Sequence, residues 1–452
     1  MEVSQPTRAI AERLDVLPLK ALHAAIVCAC AVGFGLDLLE VSISNALSAV
    51  FSAPPYTLSP AAVSWLLASV YGGAVVGAPI AGRIADRRGL QRTLTVVFVW
   101  MGMMSVLAAV RPDPVWFGFF RFLSGIALGA CPPLMIAYLT GVAPPRSRGL
   151  LIFWVCGMAY LMPPVGVFLL RWLTPLHPLG IEGWRWPFLL AGIGAVFIGF
   201  LFVRLPESPG WLARMGHDRL ASGVVERFER SRTWGLLEWG PKGHSDTRPS
   251  PSAAAAGVSC GDSRSIRRRL AYFVCLSFLQ PWVTASFQLL TGPMLLKRGY
   301  NLNDALFYVA IATFGPTIGT LSSGFLVDRA RRRTSLLLTG ALMAVALGIF
   351  FGFDQRPMLA IAVIGFSIGV AVYTPIMTLS GAELVPTTVR ASATGFAWAA
   401  NRLAAVIVPV LVMPLFADFG ASIVALVVSV SLLLAAILAV FGPRGAAGVE
   451  VD

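Results

Sequence analysis

The chain has 452 residues, of which 57% are hydrophobic and 13% charged, too few charges to clothe water-soluble domains of that size. The 44 glycines and 31 prolines lie largely inside apolar stretches, which suits membrane helices and excludes a disordered, fibrous or disulfide-stapled chain. The net charge of +13, from 35 Lys plus Arg against 22 Asp plus Glu, is clustered between the apolar stretches, so it does not by itself imply nucleic acid. Cys28, Cys30, Cys131, Cys156 and Cys275 fall in apolar runs and Cys260 in a polar loop, showing neither a disulfide framework nor zinc spacing.

In chain order, residues 1–21 form a polar N-terminal segment too long for the basic region of a cleaved signal peptide, so the first apolar run reads as a retained anchor. With about 20 apolar residues as the measure of a membrane crossing, twelve helical spans are predicted, over 22–47, 61–82, 93–110, 115–140, 150–170, 187–204, 271–296, 305–327, 335–353, 358–381, 392–416 and 420–441. A polar stretch at 205–270, rich in Arg, Ser, Gly and Pro, separates a six-helix bundle at 22–204 from a second at 271–441, and 442–452 form a tail. The fold class is all-α membrane protein, two bundles of six.

Basic residues sort by side. The N-terminus, the even-numbered loops, the linker and the C-terminus hold 27 of the 35, the other side six, and only Arg121 and Arg402 fall inside spans. By the positive-inside bias both termini are expected in the cytoplasm, in a multi-pass plasma-membrane protein of the bacterial inner-membrane kind that meets lipid rather than nucleic acid. An internal repeat fits this: GRIADRRGLQR at 82–92 is echoed by GFLVDRARRRT at 324–334, so Gly82, Asp86 and Arg87 map onto Gly324, Asp328 and Arg329. The same offset of 242 carries Pro144 and Arg148 onto Pro386 and Arg390. Two halves in the same orientation imply parallel repeats with a site between them near the midplane.

Burying an ionisable group in a span costs about 2.5 to 3.5 kcal/mol even on insertion scales, so those present point to function. Asp37 and Glu40, three apart, share a face of the first span. Arg121 lies about six residues, roughly 9 Å, from the end of the fourth at a depth similar to Glu40. An Asp37, Glu40 and Arg121 cluster is therefore expected, one carboxylate compensating the arginine and the other taking the coupling proton; a buried ion pair that only holds the helices together is the structural alternative. Arg402, with Asn401 beside it, has no acid in its own span, which makes an anionic substrate group its expected partner, or else an acid from another helix. Gln288, Thr291, Tyr373 and Tyr160 are candidate neutral hydrogen-bonding groups, and Trp154, Trp282 and Trp398 candidate stacking partners for an aromatic ring.

Gly82, Asp86, Arg87 and Gly89 resemble the signature between helices two and three of the major facilitator superfamily. Arg121, Gly125 and Gly129 resemble its fourth-helix pattern, PESPGWL at 206–212 its signature after helix six, and AELVPTTVRASATG at 382–395 the segment after helix ten. GFGLDLLE resembles the first-helix acid motif of metabolite and aromatic acid:proton symporters, with Gly35 and Asp37 matching and Phe34 and Leu36 replacing the first acid and the aromatic. The resemblance implies gating by Gly82, Asp86, Arg87, Gly89 and Arg148 in one half and by Asp328, Arg329, Glu383 and Arg390 in the other. It implies a proton-coupled, monomeric importer of a small organic, possibly aromatic, carboxylate working by alternating access, with no enzymatic activity, cofactor or metal. Two further transport readings stay open. A sugar or polyol proton symporter shares the fourth-helix and PESP-type signatures, and FQLLTG at 287–292 is similar to the seventh-helix glutamine motif of that group. A drug or metabolite antiporter is the other, and a non-transporting receptor on the same scaffold is the alternative of a different class.

Overall fold

The computed structural model describes residues 13, 17–110, 113–144, 147–232, 263–326, 332–384 and 390–441. Its helices are α1 (Ala21–Ser52), α2 (Pro60–Arg88), α3 (Leu90–Val110), α4 (Pro114–Val142), α5 (Arg148–Ala159), α6 (Met162–Leu173), α7 (Trp186–Arg204), α8 (Pro209–Arg214), α9 (Asp218–Arg230), α10 (Ser263–Lys297), α11 (Leu302–Ala312), α12 (Phe314–Leu326), α13 (Arg332–Gly352), α14 (Arg356–Leu384), α15 (Arg390–Phe419) and α16 (Ala421–Phe441). Among the described residues twelve segments are long and apolar enough to cross a bilayer; α5 with α6 makes the fifth and α11 with α12 the eighth.

The helix ends follow from local chemistry. Ser59 accepts the amide of Ala62 just ahead of Pro60, Asp113 accepts that of Val115 ahead of Pro114, and Asn301 accepts that of Asp304. Each is a short polar cap satisfying a donor the helix leaves unpaired, with proline placed where its missing N–H costs nothing in the first two cases. The break between α5 and α6 falls at Tyr160–Leu161, directly before Met162-Pro163-Pro164, where two consecutive amide donors are absent.

Within the first half α2 lies along α4 and α3 along α7; in the second, α10 packs on α15 and α13 on α14. The α2–α4 contact is made backbone to backbone. A Cβ on Gly73 or Gly77 would overlap the main chain of Phe122 or Ile126, and one on Gly125 or Gly129 that of Val70 or Ala74. Small residues four apart on both partners allow this approach where lipid gives no hydrophobic drive to helix association. Gly125→Ala is expected to lower stability by about 1–3 kcal/mol, because main chain cannot step aside; a thermal unfolding shift in detergent, against unchanged stability for Gly149→Ala at a glycine with open space, measures it.

The halves meet at the end of the molecule that carries Glu182. There the Ser48 hydroxyl lies 2.7 Å from the Leu289 carbonyl, the Gly292 backbone presses on Ala49, and Arg171 Nε donates to the Asn303 carbonyl at 3.0 Å. α15 also packs along α2, and α11 along α6.

The polar stretch after the sixth span holds more structure than its composition predicts. Ala221, Val225 and Phe228, spaced four and three apart, are fully buried on one face of α9. Phe228 packs against His23 with ring centroids 4.5 Å apart, the Ala21 amide donates to the Arg232 carbonyl at 2.8 Å, and Arg13 pairs with Glu229 at 2.9 Å. The helix thus docks on the start of α1. Residues 233–262 and 442–452, and most of the N-terminal segment, lie outside the described residues.

Candidate functional site

α1 and α4 bring Glu40 and Arg121 together. Arg121 Nη1 donates to Glu40 Oε2 at 2.7 Å, with the two side chains 1% and 0% exposed. Three hydroxyls finish the cluster: Arg121 Nη2 donates to Ser44 at 2.5 Å, Nη1 to Ser124 at 3.1 Å, and the Ser105 hydroxyl donates to Glu40 Oε1. The guanidinium also lies over the Phe188 ring, 5.0 Å from its centroid. A buried ion pair is sustainable only when its remaining hydrogen-bonding capacity is met, and here hydroxyls meet most of it.

Asp37, one turn earlier on the same helix, is not part of that contact. It is 3% exposed, and its Oδ1 is buried with no hydrogen-bond partner among the described residues. The opposite charge acting on it is Arg402 of α15, in the other half, through space and without an ion pair within 4.0 Å. Arg402 itself is half-buried and stacks on Trp398, its Cζ 5.1 Å from the ring centroid, with no acid in contact among the described residues. Asp37 and Arg402, one from each half, are thus within electrostatic range of each other with no salt bridge between them.

Between the halves lies a cavity of about 580 Å³, reaching from Gly149 in the first turn of α5 to Asn45 and Thr291. Tyr160 and Gln288, both expected at the site, line it; Tyr373, Asn401 and Arg402 do not. Tyr373 is buried at 3% exposure, and the Asn401 amide is taken up by Gln280 Oε1 at 2.7 Å and the Ser277 carbonyl at 3.1 Å. Gln280 in turn donates to the Thr374 hydroxyl at 2.7 Å, so one amide chain links α15 to the cavity wall on α14. Among the described residues no charged side chain lines the cavity.

Sequence reasoning passed over Asn45, Tyr71 and Gln280. Tyr71 of α2 donates to Asn45 Oδ1 at 3.1 Å and lies in the field of both Arg121 and Arg402. The available signal was spacing: Asn45 falls on the α1 face of Leu38, Val41 and Ser42, turned away from Glu40, and is the polar amide among the cavity-lining residues of that helix. Among the described residues no group of three His, Cys, Asp or Glu side chains is placed to hold a metal ion.

The loop signatures resolve into a fixed part and an open part. Glu207 of PESPGWL accepts the amides of Leu90 and Gln91, each at 3.1 Å, and of Ser208 at 2.9 Å, which places a carboxylate on the N-terminus of α3. Gly89, at φ 100°, turns the chain into that helix, and a Cβ there would collide with the Glu207 carboxylate. Trp211 Nε1 donates to the Asp86 carbonyl at 3.2 Å, and the Tyr138 hydroxyl to the Pro206 carbonyl at 2.6 Å. By contrast the side chains of Asp86 and Arg87 are exposed and not joined, Gly82 has open space around it, and Arg148 Nε donates to the Ala143 carbonyl at 3.2 Å instead of reaching Asp86. Asp328 and Arg329 lie outside the described residues, as do the side chains of Glu383 and Arg390.

At the opposite end Glu182 accepts from the Tyr56 hydroxyl at 2.6 Å and from Arg185 Nε at 2.6 Å, and Trp184 donates to Tyr56 at 2.8 Å. Burial pushes the Glu182 carboxyl up, but the Tyr56 hydroxyl and the Arg185 guanidinium outweigh it and hold it below its ordinary value. Burial, reinforced by Glu182, pushes the Tyr56 hydroxyl up to about 12. A depressed carboxylate stabilises the fold above its unfolded value, about 4.3, and that contribution is lost as pH falls through the lower folded value. The Glu182 side chain is 33% exposed, so the effect is small. Tyr56→Phe is expected to flatten the acid limb of a melting curve taken between pH 3 and 6 without changing it at pH 7.5 beyond the loss of the two hydrogen bonds of its hydroxyl.

The profile of the Major Facilitator Superfamily matches residues 25–409, and again 284–449. The chain belongs to the major facilitator superfamily. Among relatives, the niacin transporter NiaP of Acinetobacter baylyi is 24% identical over 420 residues, covering 89% of each chain. The arabinose-proton symporter of Bacillus subtilis is 24% identical over 405 residues, covering 86% of each. In fold the chain is similar to the xylose transporter XylE from E. coli in a partially occluded inward open conformation, with TM-score 0.74, 18% identity and coverage of 95% of this chain and 100% of that one. Members of the superfamily are transporters, not enzymes, and this chain is a multi-pass membrane transporter.

Proposed function

We propose that the protein is a proton-coupled importer of a small organic carboxylate, flat enough for a largely apolar cavity, working by alternating access. The observation that carries this reading is the buried Asp37, whose Oδ1 has no hydrogen-bond partner among the described residues and which lies within the electrostatic range of Arg402 of the other half. Asp37 is the proton carrier and Arg402 the anion receptor. While Asp37 is ionised it competes with a substrate carboxylate for the field of Arg402; protonation removes the competitor and admits the anion, so the two ligands favour the same state. Glu40, paired with Arg121, holds α1 against α4. The niacin transporter among the relatives supports the acid class.

The surplus of basic residues on one side supports cytoplasmic termini in the bacterial inner membrane. In that orientation the contacts near Glu182 close the outer side, and the unlatched Asp86, Arg87 and Arg148 belong to an inward-facing state. In the second half Asp328, Arg329, Glu383 and Arg390 are assigned the matching latch. Transport by a monomer suffices, since each chain carries both halves.

A second reading, proton–sugar symport, is favoured by the neutral lining of the cavity and by the arabinose symporter among the relatives. Uptake into proteoliposomes with an imposed proton gradient separates the two: accumulation of benzoate or nicotinate is expected, with D-xylose left at its passive level. Accumulation of xylose alone overturns the carboxylate reading.

A further inference from the structure

Asn45 stands on the cavity wall contributed by α1, and Tyr71 of α2 holds it from behind. An asparagine amide can present either its oxygen or its nitrogen to the cavity, and which it presents decides what it recognises. Here the field settles the question. The Tyr71 hydroxyl lies near two guanidinium charges, Arg121 and Arg402. Positive charge turns a hydroxyl so that its oxygen faces the cation and its hydrogen points away. The hydrogen is therefore directed to Asn45, whose Oδ1 accepts it at 3.1 Å. Asn45 Nδ2 is left with no partner among the described residues, and so the donor end of the amide is presented to the cavity.

We infer that Asn45 is a substrate-contacting specificity residue that donates to an acceptor oxygen of the substrate, and that Tyr71 is the positioning residue that locks the amide nitrogen-outward. The consequence is discrimination by polarity rather than shape. At Asn45 the wall offers a donor alone, which receives a carboxylate oxygen and disfavours the isosteric primary amide wherever its NH₂ meets that donor, since two donors face each other and one is left unsatisfied. The assignment rests on the carboxylate reading above, and the test separates the two. Asn45 lies on the cavity side of α1, while Glu40, five residues earlier, is turned about 140° away around the same helix, so cargo and the buried ion pair meet different faces of one element.

The test measures binding to purified full-length protein of two isosteric pairs, benzoate with benzamide and nicotinate with nicotinamide, with D-xylose as a neutral polyol. Wild type is expected to prefer each acid over its amide by about tenfold or more. Tyr71→Phe frees the amide to turn its oxygen to the cavity, so the acid-to-amide ratio is expected to fall severalfold with the melting temperature little changed. Asn45→Leu is expected to weaken both acids by about tenfold and to abolish the preference; Asn45→Asp, which presents only acceptors and a negative charge, is expected to reject the acids. A structural role alone would lower affinity for acid and amide together and leave their ratio where it was. If wild type binds benzoate or nicotinate and the ratio is unmoved in Tyr71→Phe and Asn45→Leu, the inference is overturned while the carboxylate reading stands. If wild type binds only xylose, the carboxylate reading falls and the inference with it. Asn45→Ser, which keeps a smaller donor, covers the case in which Asn45→Leu does not fold: retained acid preference supports the assignment and its loss with normal melting speaks against it.

Discussion

Replacing Arg121 by methionine is expected to destabilise the protein by about 3–5 kcal/mol, because Glu40 would be left as a bare carboxylate in a site that water does not reach. Both side chains are essentially inaccessible, and the shortest link between them is 2.7 Å. Glu40→Gln is expected to cost a similar amount by stranding the guanidinium. The informative variant is the double one, Glu40→Gln with Arg121→Met, which removes both charges and retains most of the volume; it is expected to recover most of the lost stability. Thermal unfolding of the four proteins in one detergent forms the cycle. If the double variant is as unstable as the sum of the singles, the two residues do not act as a pair.

Asp37→Asn is expected to have the opposite profile: little loss of stability and complete loss of concentrative uptake. Its Oδ1 already lacks a partner, so the amide replaces it without stranding a charge in contact. A permanently neutral group at 37 leaves Arg402 open to the substrate, so counterflow between equal pools should persist while accumulation driven by a proton gradient falls to the equilibrium ratio of one. Arg402→Ala is expected to weaken carboxylate binding by about a hundredfold, and Arg402→Lys to restore only part of it because a point charge replaces a planar fork. Gradient-driven accumulation by Asp37→Asn at the wild-type level would remove Asp37 from the coupling role and leave Arg121 and Glu40 as the remaining charged candidates.

The spans were legible because a membrane crossing is a statement about length and composition, and twelve such segments are written into the chain. The sequence reading was also right that one carboxylate of the first span compensates Arg121, since depth along two helices can be counted in residues. What it did not contain was the partner of Asp37. Arg402 is 365 positions away in the other half, and only the packing of α15 along α2 brings it into range. Placing Asn401 at the site failed to anticipate Gln280, which takes up its amide. Asn45 escaped notice because a neutral residue in a span carries no insertion penalty to advertise it. The helix at Asp218–Arg230 was hidden for the reverse reason: its charged face dominates the composition, while its three buried residues form too short a stripe to register as a span.

The neutral lining of the cavity has a bearing on how such a protein can change over generations. Each uncharged wall residue, such as Gln288, Thr291 or Asn45, can be exchanged without exposing or stranding a charge, because the Glu40–Arg121 pair that holds the bundle is not among the lining residues. Selection for a new nutrient can therefore act on a handful of uncharged positions while the machinery is inherited intact, and a lineage of such chains can diversify in diet without having to reinvent its engine.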